Sequence, residues 1–148
     1  TSGGATTNGF GATSNFTNCV FSQNEATNGG AIYSQNDDAT INITNCEILL
    51  NAATLGRAII IGNSDIIDTL PIPILTIENT IIKFNSAIEQ GGGINMASSS
   101  AVFKNVLFES NIIIDAATIR GAISINTSDT ITATIDLINL PCPAFRHS

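Results

Sequence analysis

The chain has 148 residues, of which 43% are hydrophobic and only 11% are charged. An apolar and weakly charged chain of this length is expected to fold as one domain rather than to stay disordered. With five basic residues and a net charge of −7, it cannot assemble the basic patch that nucleic acid binding requires. Its apolar runs are strand-sized and too short for a membrane-spanning helix, so we expect neither a nucleic acid partner nor insertion into a membrane.

An internal repeat organises the chain. Each copy places one Asn six residues after another, with a bulky apolar residue three positions before the second. The four pairs are Asn18 and Asn24, Asn45 and Asn51, Asn79 and Asn85, and Asn105 and Asn111. Successive copies begin 27, 34 and 26 residues apart. A period of this length is typical of stacked supersecondary units, and the longer step predicts a loop inserted between two of them.

The predicted strands follow the repeat in chain order. Apolar and polar residues alternate around the Asn pairs and again after the glycines that follow them, which indicates short half-buried strands. About three strands fit in each copy, and matching inward positions recur from copy to copy. These positions are Phe16, Ile43, Ile77 and Phe103; Cys19, Cys46, Thr80 and Val106; Phe21, Ile48, Ile82 and Phe108; and Ile32, Ile59, Ile94 and Ile123.

Short strands stacked in parallel predict an all-β fold, a right-handed parallel β-helix of four to five short coils. We expect a single β-helix domain over residues 1–140, forming part of a longer solenoid or assembly, and a non-regular tail over residues 141–148. Strands of successive coils lie about 4.8 Å apart, so like residues stack on like residues. Both Asn columns are therefore predicted to form ladders that satisfy backbone groups at the corners.

Two short motifs resemble a known repeat. F-x-x-N occurs at residues 21–24 and 108–111, and G-G-A-I occurs at residues 29–32. Together they resemble the repeat of the chlamydial polymorphic outer-membrane proteins and of related right-handed β-helix surface proteins of the pectin-lyase-like superfamily. The resemblance covers residues 1–135, although Arg57 replaces the second glycine in one copy. It implies an extracellular or cell-surface location and a role in adhesion, surface display or fibre formation.

On this basis we expect a non-enzymatic structural or adhesive segment without a cofactor. Its expected partners are further copies, neighbouring coils of a longer chain, or a cell-surface or glycan ligand. The competing interpretation is a polysaccharide-binding or polysaccharide-cleaving module, and a third is a subunit buried in a larger complex. Cleavage requires clustered carboxylates beside a basic residue, and an acidic chain repels an anionic substrate, so we expect no catalytic residue. The residues considered for it are Asp37, Asp38, Asp65, Asp68, Glu78 and Glu89, with Arg57 and Arg120.

The three cysteines leave two alternatives open. Cys19 and Cys46 share a column, and the spacing of stacked strands lies within the Cα separation that a disulfide accepts. They could equally be two buried thiols that act as small hydrophobic side chains. Cys142 lies between two prolines in the tail, either unpaired or bonded to another segment. With one histidine, His147, and no C-x-x-C motif, a metal site is not expected.

Three sequons for N-glycosylation begin at Asn15, Asn42 and Asn126. Each Asn neighbours a predicted inward residue, so its side chain is expected to point outward. Asn15 and Asn42 share a column and would present stacked glycans if the chain enters a eukaryotic secretory pathway. The alternative is chance, because Asn and Thr are abundant in this sequence.

Overall fold

The chain winds through short parallel strands. A computed structural model describes residues 4–34, 38–54, 58–62, 72–88, 92–114, 123–126 and 134–138, without the side chains of 125, 126 and 134–138. The strands in chain order are β1 (Thr6–Thr7); β2 (Thr13–Thr17), β3 (Val20–Ser22), β4 (Glu25–Ala26) and β5 (Ile32–Ser34); β6 (Thr40–Thr44), β7 (Glu47–Leu49), β8 (Ala52–Ala53) and β9 (Ile59–Ile61); β10 (Ile74–Glu78), β11 (Ile81–Lys83), β12 (Ser86–Ala87) and β13 (Ile94–Ala97); β14 (Ser100–Lys104), β15 (Leu107–Glu109), β16 (Ile112–Ile113) and β17 (Ile123–Asn126); and β18 (Thr134–Ile138).

Corresponding strands of successive coils pair in parallel and form four sheets within the described ranges. Sheet I contains β2, β6, β10, β14 and β18, sheet II contains β3, β7, β11 and β15, sheet III contains β4, β8, β12 and β16, and sheet IV contains β1, β5, β9, β13 and β17. Four complete coils, β2 to β17, lie between the flanking strands β1 and β18. This arrangement confirms the predicted parallel β-helix of four to five short coils.

The inward columns fill the interior in register. Phe16 pairs with Ile43, which pairs with Ile77, which pairs with Phe103. The predicted columns that begin at Phe21 and at Ile32 stack in the same way. The largest fully buried side chains are Phe103, Leu75 and nine isoleucines: Ile32, Ile41, Ile43, Ile48, Ile59, Ile61, Ile77, Ile82 and Ile94. A dry apolar interior of this kind is the main favourable contribution to folding.

Two strands of sheet IV, β9 and β13, are buried on both faces. In β9 and β13 the outward side chains of Ile60, Asn95 and Ala97 are buried as well as the inward ones. Strands that are buried on both faces carry continuous apolar runs rather than alternating ones, and Ile59-Ile60-Ile61 is such a run. Residues 139 and 140 and the tail lie outside the described residues, and no helix within the described ranges is long and apolar enough to cross a membrane.

Each coil has four strands, not about three as the sequence predicts. The additional strand belongs to sheet III and is only two residues long in every coil. Two residues are too few to display an alternating pattern, so periodicity could not reveal this strand.

Two corners of each coil use residues with positive φ. Between sheets I and II this residue is always Asn, with φ between 49° and 55°; between sheets II and III it varies, with φ between 50° and 56°. Asn enters the left-handed region at a lower cost than other side chains, which explains the invariant column. The two columns are Asn18, Asn45, Asn79 and Asn105, and Gln23, Leu50, Phe84 and Ser110.

The glycine corner before sheet IV is required by close backbone contact. A Cβ on Gly30 would lie 2.7 Å from the carbonyl oxygen of Ala52 in the next coil, and one on Gly92 would clash with the backbone nitrogen of Ile112. Gly29 has φ of 59°, a conformation that glycine adopts freely. The G-G part of the repeat therefore lets one coil lie directly against the sheet III strand of the next.

We expect Gly30→Ala to lower the free energy of unfolding by about 1–3 kcal/mol, because the added methyl group must push apart two stacked backbones. Gly9→Ala is the matched control, since a Cβ there meets no atom within 4 Å, and it should be neutral or slightly stabilising. Denaturant unfolding of both variants measures the difference. Equal stability of the two variants would contradict the close-contact explanation.

Candidate functional site

A ladder of buried amides runs through the four complete coils along the second Asn column. Asn51 donates from its backbone nitrogen and from Nδ2 to Oδ1 of Asn85, both over 2.9 Å. Asn85 donates in the same two ways to Oδ1 of Asn111, over 3.2 and 2.9 Å. Asn24 donates likewise to Asn51, over 3.1 and 2.8 Å. Each pair of adjacent coils is thus joined by a hydrogen bond between side-chain amides as well as by the backbone hydrogen bonds of the sheets.

The same amides also donate hydrogen bonds to backbone carbonyl groups of the preceding coil. Nδ2 of Asn51 donates to the carbonyl of Phe21, and Nδ2 of Asn85 donates to the carbonyl of Ile48, each over 3.0 Å. Asn51 and Asn85 are fully buried. Their amides therefore use both donors and the acceptor within the protein, which a buried polar group requires.

The first Asn column behaves differently from the prediction. Asn18, Asn45, Asn79 and Asn105 are exposed. Among the described residues, one hydrogen bond joins two of their side chains, from Asn105 Nδ2 to Asn79 Oδ1 over 2.8 Å. The positive φ of all four identifies them as corner formers whose backbones turn the chain.

A second ladder, which sequence reasoning missed, runs through Cys19, Cys46 and Thr80. The backbone nitrogen of Cys19 donates to Sγ of Cys46 over 3.4 Å, and that of Cys46 donates to Oγ1 of Thr80 over 3.2 Å. Each side chain donates to the carbonyl two residues earlier, as Thr80 does to Glu78 over 2.9 Å. The sequence signal for this ladder is a column with S–H or O–H groups in three successive copies, at Cys19, Cys46 and Thr80.

The two cysteines are free thiols in the structure. Cys46 is buried and Cys19 is partly exposed at the N-terminal end of the ladder. Burial raises the pKa of the Cys46 thiol above its usual value. The disulfide between them stays a prediction, and Cys142 lies outside the described residues.

The outer face of sheet I is polar over its first two strands. Asn15 is exposed there and Asn42 is half-buried, and Asn42 Nδ2 donates to Asn15 Oδ1 over 2.8 Å. We call this surface the Thr–Asn face; it consists of Thr13, Asn15, Thr17, Thr40, Asn42 and Thr44. Asn126 lies in β17, but its side chain is outside the described residues. Glycosylation at the three sequons stays a prediction.

Charged groups are sparse beside this face. Glu78 and Lys104 follow in the column of Thr17 and Thr44 and form an ion pair of 2.8 Å. Asp38 accepts a hydrogen bond from the backbone nitrogen of Gly11 over 2.6 Å. Within the described ranges no three His, Cys, Asp or Glu residues are placed to hold a metal ion. The other residues considered for catalysis lie outside those ranges: Asp37, Arg57, Asp65, Asp68, Glu89 and Arg120.

No protein-family model, curated protein or solved structure matches the chain.

We expect Asn85→Thr to lower the free energy of unfolding by about 2–4 kcal/mol, because it leaves buried donors and a buried carbonyl without partners. Asn42→Thr makes the same exchange on the outer face, where we expect a change within about 0.5 kcal/mol. Denaturant unfolding distinguishes the two positions. A loss that is equally small at both would show that the buried ladder contributes little to stability.

In the folded protein we expect a thiol reagent to modify Cys46 more slowly than Cys19 at pH 8. Burial blocks access to Cys46, and its raised pKa leaves less of the reactive thiolate. Peptide mass spectrometry after timed alkylation measures both rates, and unfolding should make them similar. Equal rates in the folded protein would contradict the buried ladder, whereas resistance of both thiols until a reductant is added would establish the disulfide.

Proposed function

We propose that the chain is a non-enzymatic structural segment of an extracellular or cell-surface β-helix. The observation that carries the structural role is the buried amide ladder through Asn24, Asn51, Asn85 and Asn111. It ties each of these coils to the next through groups that cannot be removed without exposing unsatisfied donors. Such a stack acts as a stiff spacer whose length grows by about 4.8 Å with each coil.

The register of the coils supports a display role. Outward side chains repeat at the strand spacing across the sheet and about every 6.7 Å along each strand, so the outer faces are regular arrays. The Thr–Asn face is one such array, with hydroxyl and amide groups and no charge. Its sequon residues Asn15 and Asn42 lie on the outer side of sheet I, which is where a secreted protein would carry glycans.

A second candidate function is the binding of a neutral polysaccharide. The Thr–Asn face favours it, because hydroxyl and amide groups can donate to and accept from sugar hydroxyls. An acidic polysaccharide is a poorer ligand for a chain with a net charge of −7. Cleavage is not part of the proposal: the carboxylate of Glu78, next to the face, is held by Lys104 in the one ion pair of the described residues, whereas glycoside cleavage uses two carboxylates.

We expect an antibody against the chain to label intact, unpermeabilised cells of the source organism, or material that these cells secrete. We also expect the purified chain to release no new reducing ends from neutral or acidic polysaccharides. Flow cytometry and a reducing-sugar assay measure the two outcomes. Labelling that appears only after permeabilisation would contradict the location, and release of sugar would contradict the non-enzymatic role.

A binding assay with the purified chain distinguishes the two candidate functions. Depletion of the chain from solution by an insoluble neutral polysaccharide would favour the binding module. That depletion should then be lost in Thr40→Val/Thr44→Val and kept in Thr54→Val, which makes the same exchange at an exposed position of the second coil outside the Thr–Asn face.

A further inference from the structure

Exposed apolar side chains concentrate on one side of the solenoid, at the corner between sheets II and III and along sheet III. We call this surface the apolar face. It contains five of the eight large hydrophobic side chains that are exposed in the described part of the chain: Leu50 (53% exposed), Phe84 (46%), Ile88 (42%), Ile112 (54%) and Ile114 (64%). Clusters of this kind, a few hundred Å² in size, mark interaction sites on soluble proteins.

The apolar face follows the register of the coils and is confined to the later ones. Phe84 lies in the corner column that holds Leu50, Ile112 pairs with Ser86 in sheet III, and Ile114 stacks on the coil of Ile88. The first coil is polar at the equivalent positions, Gln23, Glu25 and Thr27. The fold therefore does not require apolar residues there.

Two residues of the face have an unfavourable backbone conformation. Leu50 and Phe84 have φ of 56°, in the left-handed region that costs a branched or aromatic residue roughly 1–2 kcal/mol. Both side chains are also about half exposed, so packing in the core offsets this cost only in part. Gln23 and Ser110 have the same conformation in this column, so the corner imposes it, and the apolar side chains of Leu50 and Phe84 are a separate feature of this surface.

The charges beside the face are complementary to each other. Lys83 and Glu109 pair in adjacent strands of sheet II, next to the corner. Nζ of Lys83 lies 5.5 Å from the centroid of the Phe84 ring, so the ammonium group lies at the rim of the face. Neither residue has an ion-pair partner in the described part of the chain.

We propose that the apolar face binds a second copy of the chain in antiparallel orientation, about a two-fold axis between the third and fourth coils. This axis lies in the contact plane along the strand direction, so it keeps each column opposite itself and reverses the order of the coils. It places Lys83 opposite Glu109 of the second copy, twice over, and Ile88 opposite Ile114. A second copy also has the same coil spacing, so each contact occurs twice, once on either side of the axis.

This inference deepens the proposed structural role, because it names a partner and a surface for assembly. Five exposed apolar side chains per copy form a small contact compared with interfaces of standard size, which bury roughly 1,600 Å² in total. We therefore expect a weak dimer, with a dissociation constant of about 10 μM to 1 mM.

Sedimentation equilibrium over that concentration range tests the dimer. We expect Ile88→Thr/Ile112→Thr to weaken dimerisation at least about tenfold, because each copy loses two apolar contacts. Ile74→Thr is the matched control, since Ile74 is 45% exposed on the outer face of sheet I, and it should leave the dimer unchanged. A wild-type chain that stays monomeric throughout, or equal weakening by the control, would overturn the proposal.

A charge exchange tests the orientation. Lys83→Glu and Glu109→Lys should each weaken the homodimer, and an equimolar mixture of the two variants should restore association, because the antiparallel arrangement pairs these two positions between copies while each chain keeps its own like charges. Failure of the mixture to associate more strongly than either variant alone would overturn the two-fold arrangement. Unfolding midpoints of all variants show that each one is folded. A monomeric chain would leave the surface labelling of the proposed function intact, so the two proposals fail separately.

Discussion

The structure depends on one constraint: a buried corner of each coil needs a side chain that forms hydrogen bonds with groups of both neighbouring coils. At the corner between sheets II and III, this group is the buried amide of the second Asn column. Nδ2 of Asn85 reaches back to the carbonyl of Ile48 and forward to Asn111, while Oδ1 of Asn85 accepts from Asn51. Leucine has no such groups, and a carboxylate would add an unpaired charge to a dry interior. The amide is the side chain that meets both demands.

The amide ladder has a direction. Within the second Asn column, every hydrogen bond between two amides runs from the nitrogen of one coil to the oxygen of the next coil toward the C-terminus. Asn24 therefore begins the ladder as a donor, and in the described part of the chain no group donates to its Oδ1. The Cys–Thr ladder runs in the same direction. Since both ladders are polar, any coil added in register must follow the same winding direction, which suits a solenoid that is built by repetition.

The sequence predicted the columns well and their chemistry only partly. Spacing alone located the stacked residues of sheets I, II and IV, because a repeat places equivalent residues at equivalent heights. It could not separate the two Asn columns, since the same residue type serves a turn through its backbone at Asn79 and a ladder through its amide at Asn85. What separates them is burial: Asn79 is exposed and Asn85 is fully buried. The two-residue strands of sheet III have no period to detect, and the position of Cys46 in its column does not distinguish a ladder member from a disulfide partner or a small hydrophobic side chain.

Register determines the interior of a solenoid. The features that distinguish one solenoid from another therefore lie on the outer faces. Here those faces contrast. Sheet I carries the neutral polar array of Thr13, Thr40 and their neighbours, and strands β9 and β13 of sheet IV are buried on both faces. The side that contains sheet III becomes apolar only from the second coil onward, although Gln23 shows that a polar residue is compatible with the same corner. The placement of Leu50 and Phe84 is therefore a property of this surface rather than of the fold, and an interaction at this surface accounts for it with the fewest further assumptions.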